Sequence, residues 1–121
     1  PEVTAAISRA ACDLAASIDA DAIVTATTSG ATARLVARLR PAAPVLGITT
    51  TREVIRQLSL SWGVIATRID VTEDLAGMGS ELRDALSQYG LDTPGSRVVI
   101  TAGLPLGVSG STNLLQVREF D

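Results

Sequence analysis

A run of four hydroxyl side chains and one glycine, Thr27-Thr28-Ser29-Gly30-Ala31-Thr32, is the first place in this sequence where chemistry gathers. An apolar run, Ala22-Ile23-Val24-Thr25, precedes it, and helical periodicity follows it, so the hydroxyls open a helix. The first amides of a helix have no partner inside it, and the helix dipole adds about half a positive charge at the same end. Such an end draws an anion, and hydroxyls add donors without adding charge. A phosphate monoester suits both features. The same residues also read as a plain helix start, with Thr28 or Ser29 capping the orphan amides and the rest an ordinary turn.

A second candidate is the long loop Gly103-Leu104-Pro105-Leu106-Gly107-Val108-Ser109-Gly110-Ser111-Thr112-Asn113. Following the last parallel strand, it leaves the same edge of a sheet as the first candidate and could fold over a ligand. It also reads as a glycine-permitted connection between antiparallel strands, with Ser111, Thr112 and Asn113 as its turn residues. Its spacing matches neither a dinucleotide fingerprint nor a P-loop.

Several chemistries are excluded by composition. The 121 residues contain no histidine, all ten basic residues are arginine, and the one cysteine is Cys12. This removes histidine acid–base work, a Cys/His zinc site, an internal disulfide, a Schiff base and a Walker lysine. A net charge of −3 with one each of Trp, Tyr and Phe argues against nucleic acid, which needs a basic stripe and stacking aromatics. Cys12 beside Asp13 in an alanine-rich helix reads as core, and Trp62 as a packed helix end. Arg34 and Arg38, four apart, could reach an anion at the helix start, but surface roles are commoner for such residues, and Arg38, two turns away, reads as solvated. Asp13, Asp19 and Asp21 lack the spacing of a carboxylate metal loop. No nucleophile, base and oxyanion donor can be assembled into one set.

The elements that must position these loops follow from apolar periodicity. With 46% hydrophobic residues, the length suits one domain filling residues 1–121. Val3, Ile7, Ala11, Leu14 and Ile18 give a first helix one apolar stripe. Thr32, Leu35, Val36 and Leu39 mark a second, stopped at Arg40-Pro41. Val45 to Ile48 is a strand, and Thr50 with Glu53 forms a capping box for a third helix carrying Val54, Ile55 and Leu58. Val64 to Thr67 is the next strand. Asp70 with Glu73 repeats the box before a fourth helix with Leu75, Met78, Leu82, Ala85, Leu86 and Tyr89. Val98 to Ile100 is a buried strand, and Leu114 to Phe120 alternates Leu115 and Val117 with Gln116 and Arg118, one face wet.

Strands alternating with amphipathic helices predict an α/β fold: a single-domain, three-layer α/β/α sandwich on a five-stranded mixed sheet, four strands parallel and the last antiparallel. In such sheets ligands collect beyond the carboxyl ends of the strands, where the strand order reverses. No basic and apolar leader opens the sequence, and no stretch of about 18 apolar residues occurs, so the expectation is a cytoplasmic chain without a membrane contact.

These residues, taken in order, bring a family into view. Ala22-Ile23-Val24, Thr28-Ser29-Gly30-x-Thr32-Ala33-Arg34-x-Val36, Arg40-Pro41-x-x-Pro44 and Thr49 resemble the C-terminal domain of pyruvate kinase. So do Leu58-x-x-x-Trp62-Gly63-Val64, Val98 to Gly103, Gly107-x-x-Gly110-Ser111-Thr112-Asn113 and Val117. The resemblance runs from the first helix to the last strand.

What the resemblance implies is a regulatory and subunit-assembly domain without a catalytic residue of its own. Catalysis in that family, with magnesium and potassium, belongs to a separate barrel and lid. The family's effector phosphate pocket would fall on Thr27, Thr28, Ser29, Gly30 and Thr32, and its effector loop on Gly103, Gly107, Ser109, Gly110, Ser111 and Thr112. Relatives that answer to fructose 1,6-bisphosphate carry Trp and Arg in that loop, and this loop has neither; Ala31 stands where a polar or basic residue is common. A sugar monophosphate or AMP is therefore favoured over fructose 1,6-bisphosphate. The resemblance also implies a homo-oligomer and a chain cut from a longer kinase. The alternatives are a stand-alone phosphate-binding protein of this fold and a structural domain that binds nothing.

Overall fold

The computed structural model describes residues 2–27, 29–49, 51–61, 63–68, 79–102 and 114–121, with backbone alone at 2 and 79–81. In chain order the elements are α1 (Glu2–Ser17), β1 (Ala22–Ala26), α2 (Ala31–Arg38), β2 (Val45–Thr49), α3 (Arg52–Leu58), β3 (Val64–Arg68), α4 (Gly79–Ser87), β4 (Arg97–Ala102) and β5 (Leu114–Glu119). The sheet order is β3-β2-β1-β4-β5. β1 pairs parallel with β2 and β4, β2 parallel with β3, and β5 antiparallel with β4. This is the expected mixed sheet.

The helices sort by the direction in which the sheet is built. From β1 the chain steps to β2 and β3, and right-handed crossovers put α2 and α3 on one face. It then returns past β1 to β4, which puts α4 on the other face. Ala22, Val24, Leu46, Ile48, Val98 and Ile100 meet Leu82, Ala85 and Leu86 of α4 on that face. Ile23, Val45 and Val99 meet Ala11 and Ala15 of α1 and Val36 of α2 on the opposite one. Three layers result, and the strand order reverses between β1 and β4.

Sequence periodicity misplaces the contact face of α1. Its innermost residues are Thr4, Ser8, Ala11 and Ala15, while Val3 is 54% exposed and Ile7 and Leu14 are half-buried at the flanks. Small side chains let the helix lie close to the sheet. The Ser8 hydroxyl is satisfied locally, donating to the Thr4 carbonyl at 2.8 Å. Cys12 is half-buried, and burial first, then Asp13, pushes its thiol up, in keeping with a packing role.

One boundary shifts, another falls where expected, and one strand face differs. α3 has its N-cap at Thr51, in extended backbone and one residue past the start expected at Thr50, which lies outside the described residues. α2 ends before Arg40, whose φ of 51° lies outside the right-handed region that Pro41 denies it. On β5, Val117 is 43% exposed instead of buried with Leu115, because β5 is the sheet edge and α1 packs chiefly over β1 and β4. Asp70, Glu73, Leu75, Met78 and Trp62 lie outside the described residues.

Candidate functional site

The strand order reverses between β1 and β4, beside the start of the loop that leaves β1. Thr25 and Thr101 are register partners, so the two chains depart side by side. Both hydroxyls are fully buried, and neither makes a hydrogen bond among the described residues. They point to the face that α1 covers, where a β-branched side chain fits the pleat whatever its polarity.

The loop after β1 first prolongs the sheet. The Thr27 amide donates to the Ile48 carbonyl at 3.0 Å. Backbone then turns sharply at Gly30, the α2 N-cap, with φ 85°, a conformation open to glycine and costly for other residues. The Gly30 amide donates to Thr27 Oγ1 at 2.8 Å, and the Ala31 amide to Ser29 Oγ at 3.3 Å. Two orphan amides of the helix start are thus engaged by the loop's own hydroxyls. The N-cap is Gly30, without a side-chain cap bond, and not Ser29 as expected; the Ser29 bond to the Ala31 amide is a local turn contact. It does not compete with the anion reading, because a hydroxyl that accepts from an amide still has its own hydrogen to donate outward. A hydroxyl so polarised is a better donor.

Exposure sorts the expected site residues. Ser29 and Ala31 are exposed, Thr27 is half-buried, Gly30 is buried, and Thr32 is turned inward at 6% exposure. Thr28, Gly103, Gly107, Ser109, Gly110, Ser111 and Thr112 lie outside the described residues. Arg38 is exposed, as expected. Arg34 is half-buried and folds back over the loop, its Nη2 donating to the Ser29 carbonyl at 3.5 Å.

Sequence reasoning passed over the residue that supports this loop from below. Leu58 of α3 is fully buried, and a Cβ placed on Gly30 would stand 3.1 Å from its Cδ2. A Cβ on Gly47 of β2 would stand 2.9 Å from its Cδ1. One leucine therefore packs into two glycine positions. The local signal was one glycine inside an apolar strand and another before a helix, which by themselves name no partner.

Among the described residues no three His, Cys, Asp or Glu side chains come together as a metal group would need, and no helix is long and apolar enough to cross a membrane.

Fold and site together define an open doubly wound α/β domain with a hydroxyl-rich helix start beside its reversal point. The family described as pyruvate kinase, alpha/beta domain, matches residues 5–118, and the chain belongs to it. The pyruvate kinase of Clostridium acetobutylicum is 42% identical over 118 residues, covering 95% of this chain and 24% of that protein. That of Geobacillus stearothermophilus is 41% identical over 119 residues, covering 96% of this chain and 20% of that protein. A crystal structure of pyruvate kinase from Cryptosporidium parvum superimposes with a TM-score of 0.86 at 24% identity, over 98% of this chain and 23% of that one. The same organism's enzyme in complex with ADP gives a TM-score of 0.86 at 26% identity, over 98% of this chain and 24% of that one. The chain thus spans between a fifth and a quarter of the length of the curated relatives named here.

Proposed function

We propose that this chain is the effector-binding and subunit-assembly domain of a cytoplasmic pyruvate kinase, a glycolytic enzyme that transfers phosphoryl from phosphoenolpyruvate to ADP. The domain takes a phosphorylated effector at the loop after β1, through Thr27, Thr28, Ser29, Gly30 and Thr32. By the family resemblance, the effector loop falls on Gly103, Gly107, Ser109, Gly110, Ser111 and Thr112. A sugar monophosphate or AMP fits better than a bisphosphate, since the loop 103–113 contains no cation for a second phosphate.

One observation carries this reading: the Thr27 and Ser29 hydroxyls accept the first amides of α2 while keeping hydrogens to donate. A dianion seated there meets polarised donors and the positive helix end together. Effector binding acts by population shift, favouring the subunit arrangement that holds the ligand better, with a coupling of about 1–3 kcal/mol. Assembly has its own support, since β5 is an edge strand with Val117 exposed.

Replacing Ser29 and Thr32 together by Ala should weaken binding of glucose 6-phosphate or AMP about tenfold or more, read by calorimetry, with the circular dichroism spectrum unchanged. Unaltered affinity for both ligands removes the loop from the assignment.

A further inference from the structure

The net charge of −3 conceals a segregation along the chain. Residues 30–68, which form α2, β2, α3 and β3, contain six of the ten arginines and a single acid, Glu53, so the rest of the sequence is strongly acidic. This end of the sheet therefore carries a positive field, which draws acidic partners and repels a second copy of itself.

The sheet ends there on β3, which among the described residues pairs on one side only, with β2. Natural sheet edges are blunted by charges, prolines or bulges, and β3 has none of these before its last residue. Its register with β2 runs unbroken from Val64 to Arg68, and Val64, Ile65, Ala66 and Thr67 are uncharged and half-buried. The other edge, β5, carries Arg118 and Glu119.

α3 leaves a groove beside this open edge. Val54 and Leu58 turn toward α2 and meet Ala33, with Val64 and Ala66 of β3 packed against them. Ile55, the next residue round the helix from Val54, is half-buried on the flank toward the edge. With Arg52 and Arg56 it lines a shallow groove of about 370 Å³. Both arginines are exposed, and among the described residues neither joins an ion pair. Glu53 falls about 160° round the helix from Ile55, on the other flank.

Edge and groove are separate features that ask for the same occupant. An open strand pairs with a peptide backbone, which neither nucleic acid nor lipid has. Two unpaired guanidinia beside an aliphatic side chain suit carboxylates. A second copy of β3 would meet the first need and fail the second, because it brings like charges together.

We propose that β3 and the groove of Arg52, Ile55 and Arg56 form a docking site for an extended acidic segment of another protein. The segment adds a strand to the five-stranded sheet beside β3. Its alternate residues lie on the α3 side, where carboxylates reach Arg52 and Arg56. The site stands whether or not the loop after β1 takes an effector.

Fluorescence anisotropy and hydrogen exchange on the intact protein test it. The probe is a capped, fluorescein-labelled peptide of about eight residues alternating Val and Glu, with a peptide of Val and Gln as its neutral counterpart. The Glu peptide should bind, slow exchange at the β3 amides and weaken as salt rises. Arg52→Gln/Arg56→Gln, at two exposed positions, should weaken it about three- to tenfold and leave the neutral peptide unchanged. The Glu peptide N-methylated at alternate residues, prepared in both phases, should lose binding in one phase, since only one set of its amides faces β3. Equal affinity in both phases with unchanged exchange in β3 overturns strand addition. Equal binding of the Gln peptide overturns the acidic preference. Protection of β3 that grows with protein concentration in the absence of peptide assigns the edge to a second copy and overturns the proposal, as does no binding by the wild type.

Discussion

At the first strand-to-helix junction the chain enters α2 through Gly30 in left-handed backbone; at the second it enters α3 through Thr51 in extended backbone. Both junctions lie on the carboxyl edge of the sheet, and both use one local device. Ser29 Oγ takes the Ala31 amide at 3.3 Å, and Thr49 Oγ1 takes the Thr51 amide at 3.2 Å. They part on charge. α3 has Glu53 in its first turn, so its positive end meets a carboxylate from its own chain. α2 has no acid there, and Arg34 lies over its start. The positive end of α3 is offset from within its own first turn, and that of α2 is not.

The largest effect expected comes from Leu58, which packs against Gly30 at the first junction and against Gly47 of β2. Leu58→Ala should cost about 2–5 kcal/mol, because a fully buried leucine is lost and two glycine positions lose their filler. Denaturant unfolding measures it, and a cost near zero would show that Leu58 does not support Gly30 and Gly47.

Glycine substitutions sharpen the difference next. Gly30→Ala and Gly63→Ala both meet positive φ, at 85° and 83°. That strain alone costs about 1–2 kcal/mol. At Gly63 a new Cβ meets nothing within 4 Å, whereas at Gly30 it meets Arg34 and Leu58 at 2.8 and 3.1 Å. Gly30→Ala should therefore lower stability by about 1 kcal/mol more than Gly63→Ala, in line with overpacking costs. Equal losses in thermal melts would mean that Gly30 is present for its backbone alone.

The smallest stability change is the most telling. Ala31→Glu gives α2 the first-turn carboxylate that α3 already has. It should stabilise the domain by about 0.3–1 kcal/mol. It should also weaken glucose 6-phosphate binding at least tenfold, since the internal anion occupies the same potential. Opposite signs in melting temperature and affinity are the expected result, and affinity that survives the added carboxylate breaks the comparison.

Much of this domain was legible locally. The apolar periods of residues 22–25, 45–48, 64–67 and 98–100 found the parallel strands, and the absence of a helix before residues 114–120 found the reversed one. The loop at 27–32 was found from its hydroxyls. What periodicity missed depends on how close two elements approach. Thr4 and Ser8 face inward on α1 because small groups suit a close contact, and hydrophobicity scales rank Val3 above them.

The sequence by itself determined the α/β class, the strand directions, the absence of His, Lys and paired Cys chemistry, and the hydroxyl-rich helix start. These follow from residue type and from spacings shorter than an element. Only the tertiary structure decided that β4 lies beside β1, that Leu58 fills the space under Gly30 and Gly47, and that Arg34 lies across the loop. Strand order brings Thr25 and Thr101 together across 76 positions of sequence. No local pattern carries that distance, because it is set by crossover handedness and by packing between helices that the chain visits far apart.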